Sequence, residues 1–192
     1  VGISGLVTNG NVSAGSIATV TSCEFLGGMT PLENITTDDI RWAFNGNSGV
    51  PDSNPDALLS LNNNVTETAI ALVDTPVKVS GTWVVERSSQ MTGTTDGRVT
   101  FNAERTLATP VTIQATVQAF SGTNKDVHMH LYLNGSLVPN AVGAAIVGQN
   151  DPRTINIPWQ LNLSETDFVE IWIENKTDAI NLIVTHAIIR LR

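Results

Sequence analysis

The stretch DVHMHLYLNG, residues 126–135, alternates with a period of two. Val127, Met129, Leu131 and Leu133 fall on one side, and His128, His130 and Tyr132 on the other. Successive side chains of a strand point to opposite faces, so the stretch is a half-buried β-strand with its aliphatic side inward. Asn134-Gly135 is a turn pair that ends it. DFVEIWIEN (167–175) has the same period. Val169, Ile171 and Ile173 form its core face, and Phe168, Glu170, Trp172 and Glu174 the opposite one.

Further segments of this kind lie on either side. Residues 66–73, 76–88, 98–105, 110–120, 153–163 and 179–192 also read as strands, most of them separated by Gly, Asn, Asp, Ser or Thr. Eight strands within roughly 125 residues predict an all-β fold, an antiparallel β-sandwich or jelly roll. Parallel βαβ units need intervening helices, for which this spacing leaves no room.

Residues 1–64 have a different texture. VGISGLVTNGNVSAGSIATVTS (1–22) is small, polar and β-prone without an amphipathic period. TPLENITTDDIRWAF (30–44) predicts at most one short helix, capped by Thr36 or Thr37 ahead of Asp38-Asp39, with Ile40, Trp42 and Ala43 on its apolar side. NGNSGVPDSNPDA (45–57) is dense in Gly, Pro, Asn and Asp and reads as loop. The expected organisation is an extended N-terminal arm, residues 1–64, followed by a sandwich domain, residues 65–192.

Composition excludes several functions. The 192 residues carry a formal net charge of -8, and no Lys/Arg cluster interrupts the acidic balance. Such a chain repels phosphate backbones and anionic lipid, so neither nucleic acid nor membrane is an expected partner. The one cysteine, Cys23, has no internal disulfide partner and reads as a small apolar residue or free thiol. No basic leader with an unbroken apolar core opens the sequence.

His128 and His130, two apart on one strand face, are the metal candidates. Gly122-x5-His128-x-His130 resembles the opening of the cupin metal motif. The carboxylate expected after the second His is missing, because Asn134 and Gly135 follow, and the second cupin motif has no counterpart in 148–162. Two imidazoles without a third ligand hold a metal weakly, so the pair reads as the polar face of a strand, and no cofactor is expected. Glu170 and Glu174 stand about 13 Å apart by strand rise. That is too far for a retaining or inverting glycosidase pair, and they read as a solvated face. No nucleophile elbow, metalloprotease, P-loop or dinucleotide signature occurs. The chain therefore reads as non-enzymatic.

The final segment, INLIVTHAIIRLR (180–192), is apolar on both faces, as in a strand buried on both sides. One face is expected to pack on the sandwich and the other on a second subunit. Phe168, Trp172, Ile180, Leu182, Val184 and Ile188 are the interface candidates.

GTWVVERSSQMT (81–92), GRVTFNAERTLATPVTIQATV (97–117), HLYLNGSLVPN (130–140), LSETDFVEIWIEN (163–175) and the closing strand together resemble a family. It is the tumour-necrosis-factor-like and complement-globular-domain-like jelly-roll module, in the form found in bacteriophage virion proteins: head decoration proteins, head fibres and tail-fibre tips. The resemblance covers about two thirds of the chain. It implies a homotrimer and no catalytic residues. The expected function is a structural virion protein on the outer surface of the particle, either a capsid decoration protein or a fibre. Residues 1–64 would attach it to other virion proteins. The alternatives are a fibre tip that binds a host receptor or host-surface glycan, with loops 89–97 and 121–125 as its contact region, and a cupin-like metal-binding protein using His128 and His130.

Overall fold

The computed structural model describes residues 16–21, 40–45, 54–103 and 106–192. The chain divides into two compact units, Val1–Asn54 and Pro55–Arg192. In the first, β1 (Ser16–Thr21) pairs in parallel with β2 (Ile40–Asn45). Ile40, Trp42 and Ala43, expected on a helix, are therefore in a strand. The run IRWAFN is rich in β-favouring residues, and a partner strand decides the matter. Thr36, Thr37, Asp38, Asp39 and Cys23 lie outside the described residues.

The second unit is a sandwich of two antiparallel sheets. Its strands are β3 (Asp56–Leu61), β4 (Glu67–Thr68), β5 (Val77–Lys78), β6 (Val84–Ser89), β7 (Met91–Gly93), β8 (Val99–Phe101), β9 (Leu107–Ala119), β10 (Lys125–Leu133), β11 (Ser136–Val147), β12 (Arg153–Leu163), β13 (Phe168–Asn175) and β14 (Leu182–Leu191). The first sheet has the order β12-β9-β14-β3-β6, with β4 added to β14. The second has the order β11-β10-β13-β8-β7, with β5 added to β13. The pairings are nested: β10 with β11, β9 with β12, β8 with β13 and β3 with β14. One long hairpin folded on itself and wound over two sheets gives this order, which is a jelly roll. Its tip is the Asn134-Gly135 turn, where φ is +53° and +73°. A tight two-residue hairpin needs positive φ at both positions, which Asn and Gly supply at least cost.

The inner faces form one apolar core. Ile113, Val117, Val127, Met129, Leu131, Phe101, Val169, Ile173, Leu182, Val184, Ile189 and Leu191 are all fully buried. Each such side chain contributes about 1.5–3 kcal/mol relative to exposure. The alternation read in 126–135 and 167–175 holds, with Val127, Met129 and Leu131 inward against Val169, Ile171 and Ile173.

Of the strands expected over 66–73 and 76–88, the first is reduced to β4 and the second is divided between the two sheets as β5 and β6, and three further features depart from the sequence expectations. The sandwich begins at β3, earlier than residue 65. β3 lies between β14 and β6 with Ala57, Leu59 and Leu61 at 0–1% exposure. Loop-forming residues run directly into this six-residue strand and hide its alternation. A whole strand, β11, also lies where none was expected. It presents Ala141, Gly143 and Ala145 inward, and a Cβ added at Gly143 would come within 2.5 Å of Ile155. Close approach of β12 demands small residues there, and small residues give no hydrophobic period.

The third departure concerns β14. Its pairing with β9 slips between Val184 and His186, a β-bulge centred on Thr185. A bulge adds one residue and reverses the facing of all that follow. Leu182 and Val184 point inward before it, and Ala187, Ile189 and Leu191 after it. The strand is thus apolar on both faces mainly because its phase changes midway. Leu182 and Val184, named above as interface candidates, are wholly inside their own chain's core. Ile180 and Ile188 remain partly exposed.

Deleting residues 1–53 is expected to leave a sandwich that unfolds cooperatively in urea. Deleting residues 1–61 removes β3, exposes its neighbours on both sides and abolishes the cooperative transition. Chemical denaturation followed by tryptophan fluorescence distinguishes the two. A cooperative transition in the shorter fragment would remove β3 from the core.

Candidate functional site

Among the described residues, ion pairs gather on the outer face of the second sheet. β13 directs Phe168, Glu170, Trp172 and Glu174 onto it, and β10 directs His128, His130 and Tyr132. The antiparallel register sets His128 opposite Glu174, His130 opposite Trp172 and Tyr132 opposite Glu170. Directly opposed side chains on one face lie about 5 Å apart at Cβ, so they interact.

Two clusters result, one around each glutamate. Glu170 is 3% exposed and accepts hydrogen bonds from Lys78 Nζ at 2.8 Å, Arg98 Nε at 2.9 Å and Trp172 Nε1 at 3.3 Å. Lys78 also reaches Asp96 at 2.7 Å, and the Arg98 guanidinium lies 4.1 Å over the Phe168 ring. Trp172 stacks on Tyr132, with centroids 4.3 Å apart and planes 12° from parallel. Burial pushes the Glu170 carboxyl up, but the donated bonds of Lys78, Arg98 and Trp172 outweigh it and hold the group below its ordinary range. Asp96 is held down to about 2 by its hydrogen bonds from Lys78 and Thr94.

Glu174 is 5% exposed and His130 8%. Glu174 Oε1 lies 3.0 Å from His130 Nε2 and 3.8 Å from His128 Nδ1. One ligand atom from each of the three residues lies within 4.8 Å of the others. Around them are Asp126, whose Oδ1 is 3.3 Å from His128 Nε2, and Lys176, whose Nζ is 3.4 Å from Glu174 Oε1 and 2.8 Å from Asp74.

The face of Glu170 and Glu174 is therefore not simply solvated. Both carboxylates are shielded by the cations, imidazoles and rings above them. His128 and His130 come together as their spacing predicts, and the carboxylate that does not follow the second histidine in sequence is supplied by Glu174, 44 residues on. The alternation in 167–175 already placed Glu174 on an outer face. Nothing in it revealed which strand would lie alongside. Of the interface candidates, Phe168 and Trp172 are partly exposed on this face and held by Arg98 and Tyr132.

No family model matches the sequence, and no curated protein does. Among solved structures the chain is similar to murine APRIL at pH 5.0, with 10% identity, a TM-score of 0.48 and coverage of 71% of this chain and 98% of that one. It is similar to the globular domain of zebrafish complement 1qA protein, with 12% identity, a TM-score of 0.47 and coverage of 72% and 96%. It is also similar to the PRD1 vertex protein P5, with 16% identity, a TM-score of 0.45 and coverage of 71% and 94%. The jelly roll itself follows from the strand order described above.

The Glu170 cluster predicts a pH dependence. A carboxyl whose folded pKa is depressed binds its proton less readily folded than unfolded. Its stabilising contribution is complete above the ordinary value of 4.5 and is lost as pH falls through the lower folded value. Glu170→Gln is expected to cost about 2 kcal/mol at pH 7 and much less at pH 3. Urea midpoints of both proteins at the two pH values measure this. An equal cost at both would show that the charge is not what stabilises the cluster.

Proposed function

We propose that the protein is a non-enzymatic structural component of a bacteriophage virion, a homotrimer that decorates the outer surface of the capsid. The unit ahead of the sandwich, residues 1–54 rather than the 1–64 expected from the sequence, attaches it to other virion proteins in this reading, and the jelly roll faces outward. The observation that carries it is a pair of dissimilar surfaces on one chain, each suited to contact with the other.

The first surface is the edge strand β11. Ala141, Gly143 and Ala145 face inward along its middle, and Leu137, Val142 and Ile146 are 49%, 45% and 52% exposed. A long edge strand with outward aliphatic side chains invites association unless it is covered. The second surface is the outer face of β9 and β14. It presents Thr112, Gln114, Thr116, Gln118, Ile183, His186 and Ile188, with Arg190 towards one end. Ile188 lies in a shallow hollow with Asn62, Gln114, Thr116 and His186. Depletion of charge is the compositional mark of an interface core, and this face is far poorer in charge than that of the second sheet.

A contact between two different patches is heterologous. It closes into a ring when the rotation between copies allows, and a ring of three leaves neither patch uncovered. The family resemblance points to the same number. Of the interface candidates from the sequence, Ile188 lies on the second surface and Ile180 just ahead of β14; Val142 and Ile146 join them, whereas Phe168 and Trp172 lie on the outer face of the second sheet, on neither surface.

Native mass spectrometry of the full chain is expected to give a trimer. Val142→Asp and Ile188→Asp, both at positions outside the core, are expected to give folded monomers with unchanged circular dichroism. A wild-type monomer, or variants that remain trimeric, would overturn the assembly. Immunogold labelling of particles made from the source genome tests the location, and unlabelled particles would remove the virion role.

A further inference from the structure

The His128, His130 and Glu174 cluster does more than tie β10 to β13. We propose that it is a site for one borderline divalent transition-metal ion, of the zinc or cobalt class, on the outer face of the sandwich. This does not depend on the virion role or on the oligomeric state.

The first argument is distance. A four-coordinate ion with N and O donors at about 2.0–2.1 Å needs its ligand atoms about 3.3 Å apart. The Glu174 oxygen stands 3.0 Å from His130 Nε2 and 3.8 Å from His128 Nδ1. Those two separations bracket the required value, and all three ligand atoms lie within 4.8 Å of one another, so an ion would draw in partly exposed His128 to close the set. The second argument is donor type. Two imidazoles and one carboxylate suit zinc, cobalt, nickel or copper, whereas calcium and magnesium call for oxygen ligands throughout.

The third argument is the residue behind the ligand. Asp126 approaches His128 at Nε2, the ring nitrogen that faces away from Glu174. A carboxylate beside Nε2 favours the tautomer that carries its hydrogen there, which leaves the Nδ1 lone pair on the Glu174 side. That is how outer partners orient metal-binding imidazoles. The fourth argument concerns Lys176. Its ammonium is the cation now nearest Glu174, at 3.4 Å, yet its shorter bond is to Asp74, at 2.8 Å. It can give up Glu174 to an incoming ion and keep a partner. Three protein donors leave a fourth position to water.

The site lies on the outside of the sandwich, and its ligands come from adjacent strands of one sheet.

The test is a titration of the untagged, EDTA-treated full chain with Zn²⁺ by calorimetry, and with Co²⁺ by visible absorption. One ion per chain is expected, with a dissociation constant in the micromolar range or below. Glu174→Gln and His128→Gln are each expected to weaken binding by at least about tenfold, and Asp126→Asn by about tenfold. Lys176→Ala is expected to keep or tighten binding. His186→Ala, on the other sheet, is expected to leave it unchanged. Circular dichroism verifies that each variant is folded, and His128→Gln, at a partly exposed position, keeps the test decisive if Glu174→Gln does not fold. Absence of saturable 1:1 binding, binding that survives both ligand substitutions, or loss in His186→Ala would overturn the proposal.

Discussion

The register of β10 against β13 is the constraint on which the rest of the molecule depends. It sets Met129 opposite Ile173 and Leu131 opposite Ile171 on the inner face, and His128 opposite Glu174 on the outer face. A slip of one residue would turn the aliphatic set to water and bury the histidines among aliphatic side chains. Core and candidate site are thus held by the same pairing. The hydrophobic gain on one side keeps the polar constellation in place on the other.

That coupling explains how two glutamates become nearly inaccessible on a face exposed to solvent. Withdrawing a carboxylate from water is costly unless charge and hydrogen bonds replace its hydration. Glu170 has Lys78, Arg98 and the Trp172 indole. Glu174 has two imidazoles and Lys176. The aromatic rings complete the cover, with Phe168 beneath Arg98 and Trp172 on Tyr132. The first sheet's outer face over β9 and β14 is built quite differently, from Thr, Gln and Ile. One face is internally satisfied, and the other is nearly free of charge, with Arg190 towards one end.

The polar asparagines show tertiary structure overriding a local signal. Asn64 and Asn175 each begin an Asn-x-Thr sequence of the kind that accepts a glycan on a surface loop. Both side chains are buried. Asn64 donates to the carbonyls of Ser80 and Val184, and Asn175 donates to the carbonyl of Ile180 and accepts from the Thr177 amide. Asn134, in the hairpin turn, accepts from the Phe168 amide and donates to Asp167. These amides serve backbone groups that the bends between strands would otherwise leave unpaired.

By itself the sequence determined the class of fold, the inner faces of β10 and β13 and the turn between β10 and β11. All of these depend on near neighbours: a period of two, and a residue pair that tolerates positive φ. It also determined that His128 and His130 share a face. Only the tertiary structure decided that Glu174 stands beside them, that β3 and β11 are strands, and that Leu182 and Val184 point inward. A carboxylate 44 residues away becomes a neighbour through strand pairing, which no local pattern encodes. An edge strand made small by a close neighbour shows no period, and a bulge at Thr185 shifts the phase of a strand without leaving a mark in its composition. What the sequence expressed was preference for a surface, and what the fold supplied was the partner on that surface.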